Sequence, residues 1–310
     1  MIDLGPHRIG LGLASLGRPG YLNVGHGEDL GGDRSVAALR ARTFDVLDAA
    51  YAGGVRYLDA ARSYGRAEEF LGAWLDERRP ADVVVGSKWG YVYTADWRID
   101  ADPPEVKHHD ADTFRRQLAE TRAQLGDRLA LYQIHSATPD SGVLDNADVL
   151  RELQELRATG VAIGVTASGP SQPETIDRAV ELGCFDAIQA TWNLHERASG
   201  EALQRAHEAG MAVIVKEALA NGRLGPRAPD AALAAAARAA GVTPDAVALA
   251  AVLAQPFAGV VLSGVATRAA LASNLVAAQL RLPDATLAAL AALEEDSDEY
   301  WSTRSALPWN

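Results

Sequence analysis

The stretch DVLRELQELRATGVAIGVTAS, residues 148–168, contains the unit that decides the fold of the chain. Its first part, residues 148–158, has the amphipathic pattern of a helix. Gly160 follows, and glycine is typical of the position just beyond a helix end. The apolar residues 162–166 then have the composition of a short strand buried on both faces. The segment therefore predicts a helix followed by a strand, with Ser168 near the point where that strand ends.

The same alternation of helix, glycine and strand extends in both directions along the sequence. The other glycines that end helices are Gly53-Gly54, Gly126, Gly183 and Gly210. The predicted strands are Ile9–Leu13, Val55–Leu58, Val83–Ser87, Leu129–Ile134, Ala162–Thr166, Ala187–Ala190, Ala212–Val215 and Val260–Leu262. The predicted helices are Ser35–Ala52, Ala67–Glu77, Ala111–Gln124, Asp148–Ala158, Pro173–Leu182, Ser199–Ala209 and Pro244–Leu253, with an Ala-rich helix before Gly241. Eight strands separated by helices over about 250 residues predict a (β/α)₈ TIM barrel. An open doubly wound sheet is the alternative and usually has fewer strands.

The chain contains no linker rich in proline or serine, so we expect a single domain over residues 1–310. Two long loops, residues 17–34 and 91–110, follow the first and third predicted strands. Loops at this end of barrel strands build active sites. Trp89 and Trp97 follow the third predicted strand and are candidates for an apolar wall of the substrate site, with core packing the alternative for Trp89. The short C-terminal tail, with Trp301 and Trp309, is expected to fold over the mouth or to cap the barrel.

Composition and charge exclude several classes of partner. Hydrophobic residues make up 48% of the 310 residues, enough for a full core. The formal net charge of −12 repels phosphate backbones and anionic lipids, which argues against nucleic acid or a membrane as partner. Cys184 is the only cysteine, so a reducing compartment is expected. The N-terminus lacks a secretory pattern, and the apolar runs are too short to cross a bilayer. We expect a cytoplasmic protein, as a monomer or small homo-oligomer.

Polar residues stand at the ends of seven successive predicted strands. They are Asp59, Lys88, His135, Ser168, Gln189, Lys216 and Ser263. The ends of barrel strands share one mouth, so these side chains are expected to converge there. Chance accounts for any one of them as a solvated strand end, but it accounts poorly for the whole set. The pattern therefore predicts an active site at this mouth.

Four of the polar residues near these ends, Asp59, Tyr64, Lys88 and His135, form a chemically coherent group. A phenol has a pKa of about 10 and is a weak acid unless a nearby cation lowers its pKa, as Lys88 could. A buried ammonium needs a counter-ion, which Asp59 could supply. His135 could hold a substrate oxygen beside the phenol. The group suits protonation of an alkoxide. The pair His108-His109 lacks metal-ligand spacing, so no metal is predicted.

From Gly10 to Asn274 the chain resembles the aldo-keto reductase family. The motifs that carry the resemblance are LDAARSYG at residues 58–65, Ser87-Lys88 and Ile134-His135, in the family's order and at about its spacing. The resemblance implies a (β/α)₈ barrel that transfers hydride between a nicotinamide cofactor and a small carbonyl or alcohol, sugars included. It also implies roles for four residues. These are Tyr64 as general acid/base, Lys88 as the group that lowers its pKa, Asp59 as the group that orients Lys88, and His135 as the hydrogen-bond partner of the substrate.

The resemblance further implies where the cofactor binds. Ser168 and Gln189 stand where the family contacts the nicotinamide amide. Lys216 replaces the ring that commonly stacks on nicotinamide, so Trp192 or the lysine stem is expected to cover that face. Ala270 stands where the family often has an arginine for a 2′-phosphate, which leaves Arg268 close by. The complete predicted set is Gly12, Ser168, Gln189, Trp192, Lys216, Ala218, Leu219, Asn221, Ser263, Gly264, Arg268 and Asn274. NADP(H) is expected rather than NAD(H), because members of the family more often use NADPH.

Two other functions use the same residues. One is a regulatory subunit that keeps the barrel and binds the cofactor with little turnover, as the potassium-channel β subunit of this family does. The other is a lyase of a different class, in which Lys88 or Lys216 forms a Schiff base with a carbonyl substrate.

Overall fold

Eight parallel strands form a closed barrel, which confirms the predicted (β/α)₈ fold. The computed structural model describes residues 2–227 and 229–310. The barrel strands are β1 (Ile9–Gly12), β2 (Tyr57–Asp59), β3 (Val84–Trp89), β6 (Leu129–Ala137), β7 (Ala162–Ala167), β8 (Ala187–Thr191), β9 (Ala212–Lys216) and β10 (Val260–Ser263). Their order around the ring is β1-β10-β9-β8-β7-β6-β3-β2. Strand β1 pairs with both β2 and β10, and this pairing closes the ring.

Helices surround the barrel and follow the strands as predicted. They are α1 (His26–Leu30), α2 (Val36–Ala52), α3 (Ala67–Arg78), α4 (Ala111–Leu125), α5 (Ala147–Ala158), α6 (Gln172–Leu182), α7 (Gly200–Glu208), α8 (Ala231–Ala240), α9 (Pro244–Leu253), α10 (Arg268–Val276), α11 (Asp284–Ala291) and α12 (Ser297–Ser305). Local signals fix several ends. Ser35 and Asp110 accept hydrogen bonds from the first turns of α2 and α4. Gly183 and Gly241 end α6 and α8 in the left-handed conformation.

Side chains inside the barrel change from apolar to polar along each strand. Because side chains alternate between the two faces of a strand, every second residue points inward. Near the strand starts, a buried apolar cluster fills the interior with Tyr57, Leu131 and Ile214. Two residues after Tyr57 and Leu131 come Asp59 and Gln133, both buried. The interior of the barrel is therefore apolar near the strand starts and polar toward the end where the strands finish.

The two long loops and the tail contain structure that the sequence did not predict. The loop after β1 includes the short helix α1. The loop after β3 contains an antiparallel hairpin of β4 (Tyr91–Tyr93) and β5 (Glu105–Lys107). The C-terminal residue Asn310 accepts a hydrogen bond from the Tyr21 amide at 3.0 Å. Its side chain accepts another from Gly27 N at 2.9 Å. The end of the chain is therefore fastened across the first loop.

No single helix in the described part of the chain has the length and hydropathy needed to span a membrane. Helices α8 and α9 together have the length and composition of a membrane span, but the two helices meet at an angle of 90°. Most of α9 is buried in the protein, since Asp245–Leu253 are all buried.

The interior of β3 has room for no side chain at Gly86. A Cβ there would overlap the hydroxyl of Tyr57, which donates to Asp59 at 3.0 Å. We expect Gly86→Ala to lower the free energy of unfolding by about 1–3 kcal/mol, because overpacking a filled core forces side chains off their rotamers. Urea denaturation followed by circular dichroism measures the loss.

Gly32→Ala is the matched control, since Gly32 is exposed and a Cβ there would meet no atom within 4 Å. In a chain that already carries Tyr57→Phe, Gly86→Ala should lower the free energy of unfolding by less than it does in the native chain, because the overlapping hydroxyl is gone. Equal stability of the Gly86→Ala and Gly32→Ala variants would contradict this view of the interior.

Candidate active site

A cavity of about 810 Å³ opens at the end of the barrel where the strands finish. Its walls come from these strand ends and the loops that follow them, from α9 and α10, and from the C-terminal tail. Four residues around it have left-handed backbone conformations although they are not glycine. They are Ser136 (φ 52°), Glu217 (φ 53°), Ala220 (φ 47°) and Asn221 (φ 53°). Strained conformations of this kind concentrate at functional sites.

Asp59, at the end of β2, is the acceptor around which the floor of the cavity is organised. It is 1% exposed. Its Oδ2 pairs with the Lys88 ammonium. Its Oδ1 accepts from the Tyr57 hydroxyl at 3.0 Å and from Gln189 Nε2 at 3.2 Å. A carboxylate held by this many donors has a fixed position.

Lys88, at the end of β3, links this carboxylate to the Tyr64 hydroxyl. Its side chain is fully buried, and its Nζ donates to Ala60 O at 3.0 Å and to Tyr64 Oη at 3.4 Å. His135, on β6, lies on the other side of the phenol with Nε2 3.5 Å from Tyr64 Oη. The structure therefore brings together the four residues predicted from the sequence, Asp59, Tyr64, Lys88 and His135.

Burial dominates the protonation of this group. Desolvation raises the pKa of Tyr64 well above its ordinary 10, and the Asp59 carboxylate adds to the rise, while Arg18 opposes it. The prediction that a neighbouring cation leaves Tyr64 with a lowered pKa is therefore wrong for the protein alone. Desolvation also lowers the pKa of His135 well below 6.5, with Lys88 the next cause. At neutral pH the cavity presents a protonated phenol beside a neutral imidazole.

Arg18, in the loop after β1, is a cavity residue that the sequence analysis missed. It is 2% exposed. Its Nη1 donates to Ser63 O and to Glu105, both at 3.0 Å. Its guanidinium lies 5.1 Å from the centre of the Tyr64 ring and 4.5 Å from that of Trp309. The only sequence feature that indicated a cavity position for Arg18 was its place in a long loop after a predicted strand.

Lys216, at the end of β9, is a half-buried lysine that no carboxylate among the described residues holds in an ion pair. Its Nζ donates to Ser168 Oγ and Thr191 Oγ1, both at 3.0 Å. Desolvation lowers its pKa to about 8. The next residue, Glu217, is paired instead with Arg304 of α12, with Nε 2.9 Å from Oε2.

Most of the predicted cofactor residues lie on the cavity wall. They are Gly12, Ser168, Gln189, Lys216, Ala218, Leu219, Asn221, Gly264 and Asn274. Ser263 is 1% exposed behind the wall and contacts Asn274 with its hydroxyl at 2.9 Å. Arg268 does not line the cavity. Its side chain is 65% exposed and pairs with Asp45 of α2 at 3.2 Å.

The three predicted tryptophans lie outside the cavity, which corrects those expectations. Trp89 follows the inward-pointing Lys88 and so points outward, where it packs on Phe114. Trp192 is packed against Phe257 with ring centres 5.8 Å apart. Trp97 donates to Arg34 O at 2.9 Å. The tryptophans that do line the cavity, Trp301 and Trp309, come from the tail.

Comparison with known proteins identifies the family. The sequence model of the Aldo/keto reductase family matches residues 8–295. D-threo-aldose 1-dehydrogenase from a Pseudomonas species is 28% identical over 205 residues, which cover 59% of this chain and 61% of that protein. The oxidoreductase YqkF of Bacillus subtilis, which is uncharacterized, is 26% identical over 199 residues, 62% of this chain and 61% of its own length. The chain thus aligns with less than two thirds of the length of these relatives.

Solved structures share the fold over almost the whole chain. Glycerol dehydrogenase of Gluconobacter oxydans superposes with a TM-score of 0.74 at 22% identity, covering 94% of this chain and 92% of that one. The holo form of an aldo-keto reductase from Bacillus halodurans superposes with a TM-score of 0.71 at 20% identity, covering 94% and 95%. At these identities the likeness establishes the barrel.

The ion pair of Glu217 with Arg304 should make stability depend on pH. Burial alone would raise the pKa of Glu217, but Arg304 and Lys216 bring it from an ordinary 4.5 down to about 2. A pKa that is lower in the folded state stabilises the fold above pH 4.5, and this contribution is lost as the pH falls toward 2. We expect Glu217→Gln to cost about 3 kcal/mol at pH 7 and progressively less below pH 4.5.

Urea denaturation of both proteins at pH 7, 4 and 3 measures this difference. Glu201→Gln, on an exposed position of α7, controls for the loss of one carboxylate. A difference that stays constant over the whole pH range would show that the pair does not titrate as described.

Proposed function

The chain belongs to the aldo/keto reductase family, and we propose that it interconverts a small carbonyl compound and its alcohol by hydride transfer with a nicotinamide cofactor. The observation that carries this proposal is the contact of the Tyr64 hydroxyl with both Lys88 and His135 at the wall of one cavity. That contact places a proton donor, a cation and a hydrogen-bonding imidazole around a single point. A substrate oxygen bound there would meet the phenol and the imidazole, with the Lys88 cation behind the phenol.

The cavity fits a nicotinamide dinucleotide. Its volume of about 810 Å³ lies within the usual 300–1,000 Å³ of ligand sites. Asn221 Oδ1 is a buried acceptor on the wall and receives no hydrogen bond from the described residues. Ser168, Gln189 and Asn221 would hold the cofactor through their polar atoms, and Lys216 would lie on the floor beside them. When bound, the cofactor supplies or accepts the hydride.

The residues of the chain handle the proton and the oxygen charge. Tyr64 stays protonated at neutral pH because burial raises its pKa, so it can donate a proton to the substrate oxygen during reduction. Lys88 stabilises the phenolate that remains, and it is itself held by Asp59. Neutral His135 orients the substrate oxygen toward the phenol. In the oxidative direction the same phenolate removes the proton of the alcohol.

We propose an aldose or another polyhydroxylated compound as substrate. One relative is named as an aldose dehydrogenase, and the wall near Tyr64 is rich in polar groups. Those groups belong to Arg18, Glu105, Lys107, Ser136 and Thr138. Hydroxyl groups along a sugar would hydrogen-bond to the donor and acceptor positions that remain open on these groups, which an apolar ketone could not do.

Tyr64→Phe should reduce turnover by at least about 10²-fold, because general acid/base catalysis contributes about 10²–10⁴-fold. Nicotinamide nucleotide binding should persist, since the phenol holds the substrate oxygen rather than the cofactor. Stopped-flow turnover on a panel of aldoses, with fluorescence titration of the cofactor, separates the two effects. Tyr91→Phe is the matched control, because Tyr91 also lines the cavity near His135 but makes no hydrogen bond to Lys88. Near-normal turnover of Tyr64→Phe would remove the role given to this residue.

The regulatory-subunit alternative predicts that the native chain binds the cofactor but converts no carbonyl or alcohol. Turnover of any substrate in the panel therefore argues against it. The presence of Asp59, Tyr64, Lys88 and His135 in one contacting group already favours an enzyme.

The Schiff-base alternative now concerns Lys216 alone. Lys88 is fully buried and bound to Asp59, whereas Lys216 lines the cavity with a pKa lowered to about 8. We expect borohydride treatment in the presence of an aldose to leave the mass of the protein unchanged. A stable adduct on Lys216, detected by peptide mass spectrometry and lost in Lys216→Met, would instead support a lyase.

A further inference from the structure

At one end of the cavity a buried carboxylate oxygen has no partner. Asp245, in the first turn of α9, is 4% exposed and lines the cavity. Its Oδ2 accepts from Ser273 Oγ at 2.6 Å. With its amide turned to suit its neighbours, Asn274 also donates to Oδ2, at 2.7 Å. Oδ1 is buried and receives no hydrogen bond from any residue that the structure describes. An acceptor left in this state costs free energy until a ligand donates to it.

At this end, the part of the wall built by α9, β10, α10 and the residues beside them has no cationic side chain among the described residues, and Arg227, which lines the cavity from the loop after β9, pairs with Asp29. Here the wall consists of Thr243, Asp245, Leu262, Gly264, Val265, Ala269, Ala270, Ser273 and Asn274. The nearest arginine along α10, Arg268, is directed to Asp45 and to solvent. The local charge is therefore that of Asp245, and it is negative.

This chemistry separates the two nicotinamide dinucleotides. They differ at the 2′ position of the adenosine ribose, which carries a hydroxyl in NAD(H) and a phosphate in NADP(H). A hydroxyl can donate to an unpaired carboxylate oxygen. A phosphate has no proton to donate at the charge it carries near neutral pH, and it needs a cation such as arginine. Beside Asp245 it would meet a like charge.

We propose that Asp245 receives the 2′-hydroxyl of the adenosine ribose and makes the chain selective for NAD(H) over NADP(H). This inference rests on the proposed function, because it assumes that the cavity binds a nicotinamide dinucleotide. It reverses the expectation of NADP(H) that the family resemblance gave. Asp245 acts here as a binding residue for the cofactor and takes no part in the proton transfer at Tyr64.

The test is fluorescence titration of the purified full chain with NADH and with NADPH, in the absence of substrate. We expect NADH to bind at least about 30-fold more tightly, which corresponds to about 2 kcal/mol. Asp245→Asn keeps an acceptor oxygen but removes the charge. It should strengthen NADPH binding by about tenfold while changing NADH binding little. Asp245→Ala removes the acceptor too, so it should also weaken NADH binding.

Asp112→Asn is the matched control, since it makes the same change of net charge on a side chain that is 92% exposed. Thermal unfolding of each variant shows whether it is folded, and Asp245→Asn is expected to preserve the bonds from Ser273 and Asn274 to Oδ2. Equal or tighter binding of NADPH by the native chain overturns the inference alone. So does a ratio of the two affinities that Asp245→Asn leaves unchanged. If neither nucleotide binds, the proposed function fails, and this inference fails with it.

Discussion

The buried ion pair of Asp59 with Lys88 is the interaction on which the site depends. Removing both charges from water is costly, and the cost is offset only because further donors and acceptors surround them. Tyr57 and Gln189 donate to the carboxylate, while Ala60 accepts from the ammonium. These partners come from β2, from the residue after β2 and from β8, while Lys88 itself comes from β3. The pair is therefore satisfied only when strands distant along the chain are assembled in the barrel. In the proposed reaction, the position of the ammonium fixes where a Tyr64 phenolate would be stabilised.

Much of the fold could be predicted because short β-branched runs and glycine helix ends are local signals. The eight predicted strands match the observed ones to within about three residues at either end, and β6 extends furthest beyond its prediction, to Ala137. The four residues around Tyr64 could be predicted for a related reason, since polar groups ending successive barrel strands must converge. Of the two positions considered for Trp89, a substrate wall and the core, the structure has the core, and the alternation of side chains along β3 already favoured it. If Lys88 points inward, its neighbour points outward.

The rest of the cavity could not be read from the sequence, because loops and tail build it through contacts distant along the chain. Arg18 is held by Glu105 of the hairpin, and Glu217 by Arg304 of α12. Neither pairing has a periodic pattern or a fixed spacing. These pairs share one effect. Each pairs two opposite charges with each other, so the charged groups of the described lining that lack an ion pair include Lys107, Lys216 and Asp245.

The pairing of β1 with both β2 and β10 has a consequence for how the molecule acquires its site. Ile9 lies beside Val261 although some 250 positions separate them along the polymer. Loop closure over such a distance is entropically slow to nucleate. Gly12 and Gly264, which face the same cavity, adjoin these two strands, so a nascent or partly folded chain has no competent pocket. The proposed nucleotide, binding only the closed ring, would add its binding free energy to the pairing of β1 with β10 and so stabilise the closed barrel.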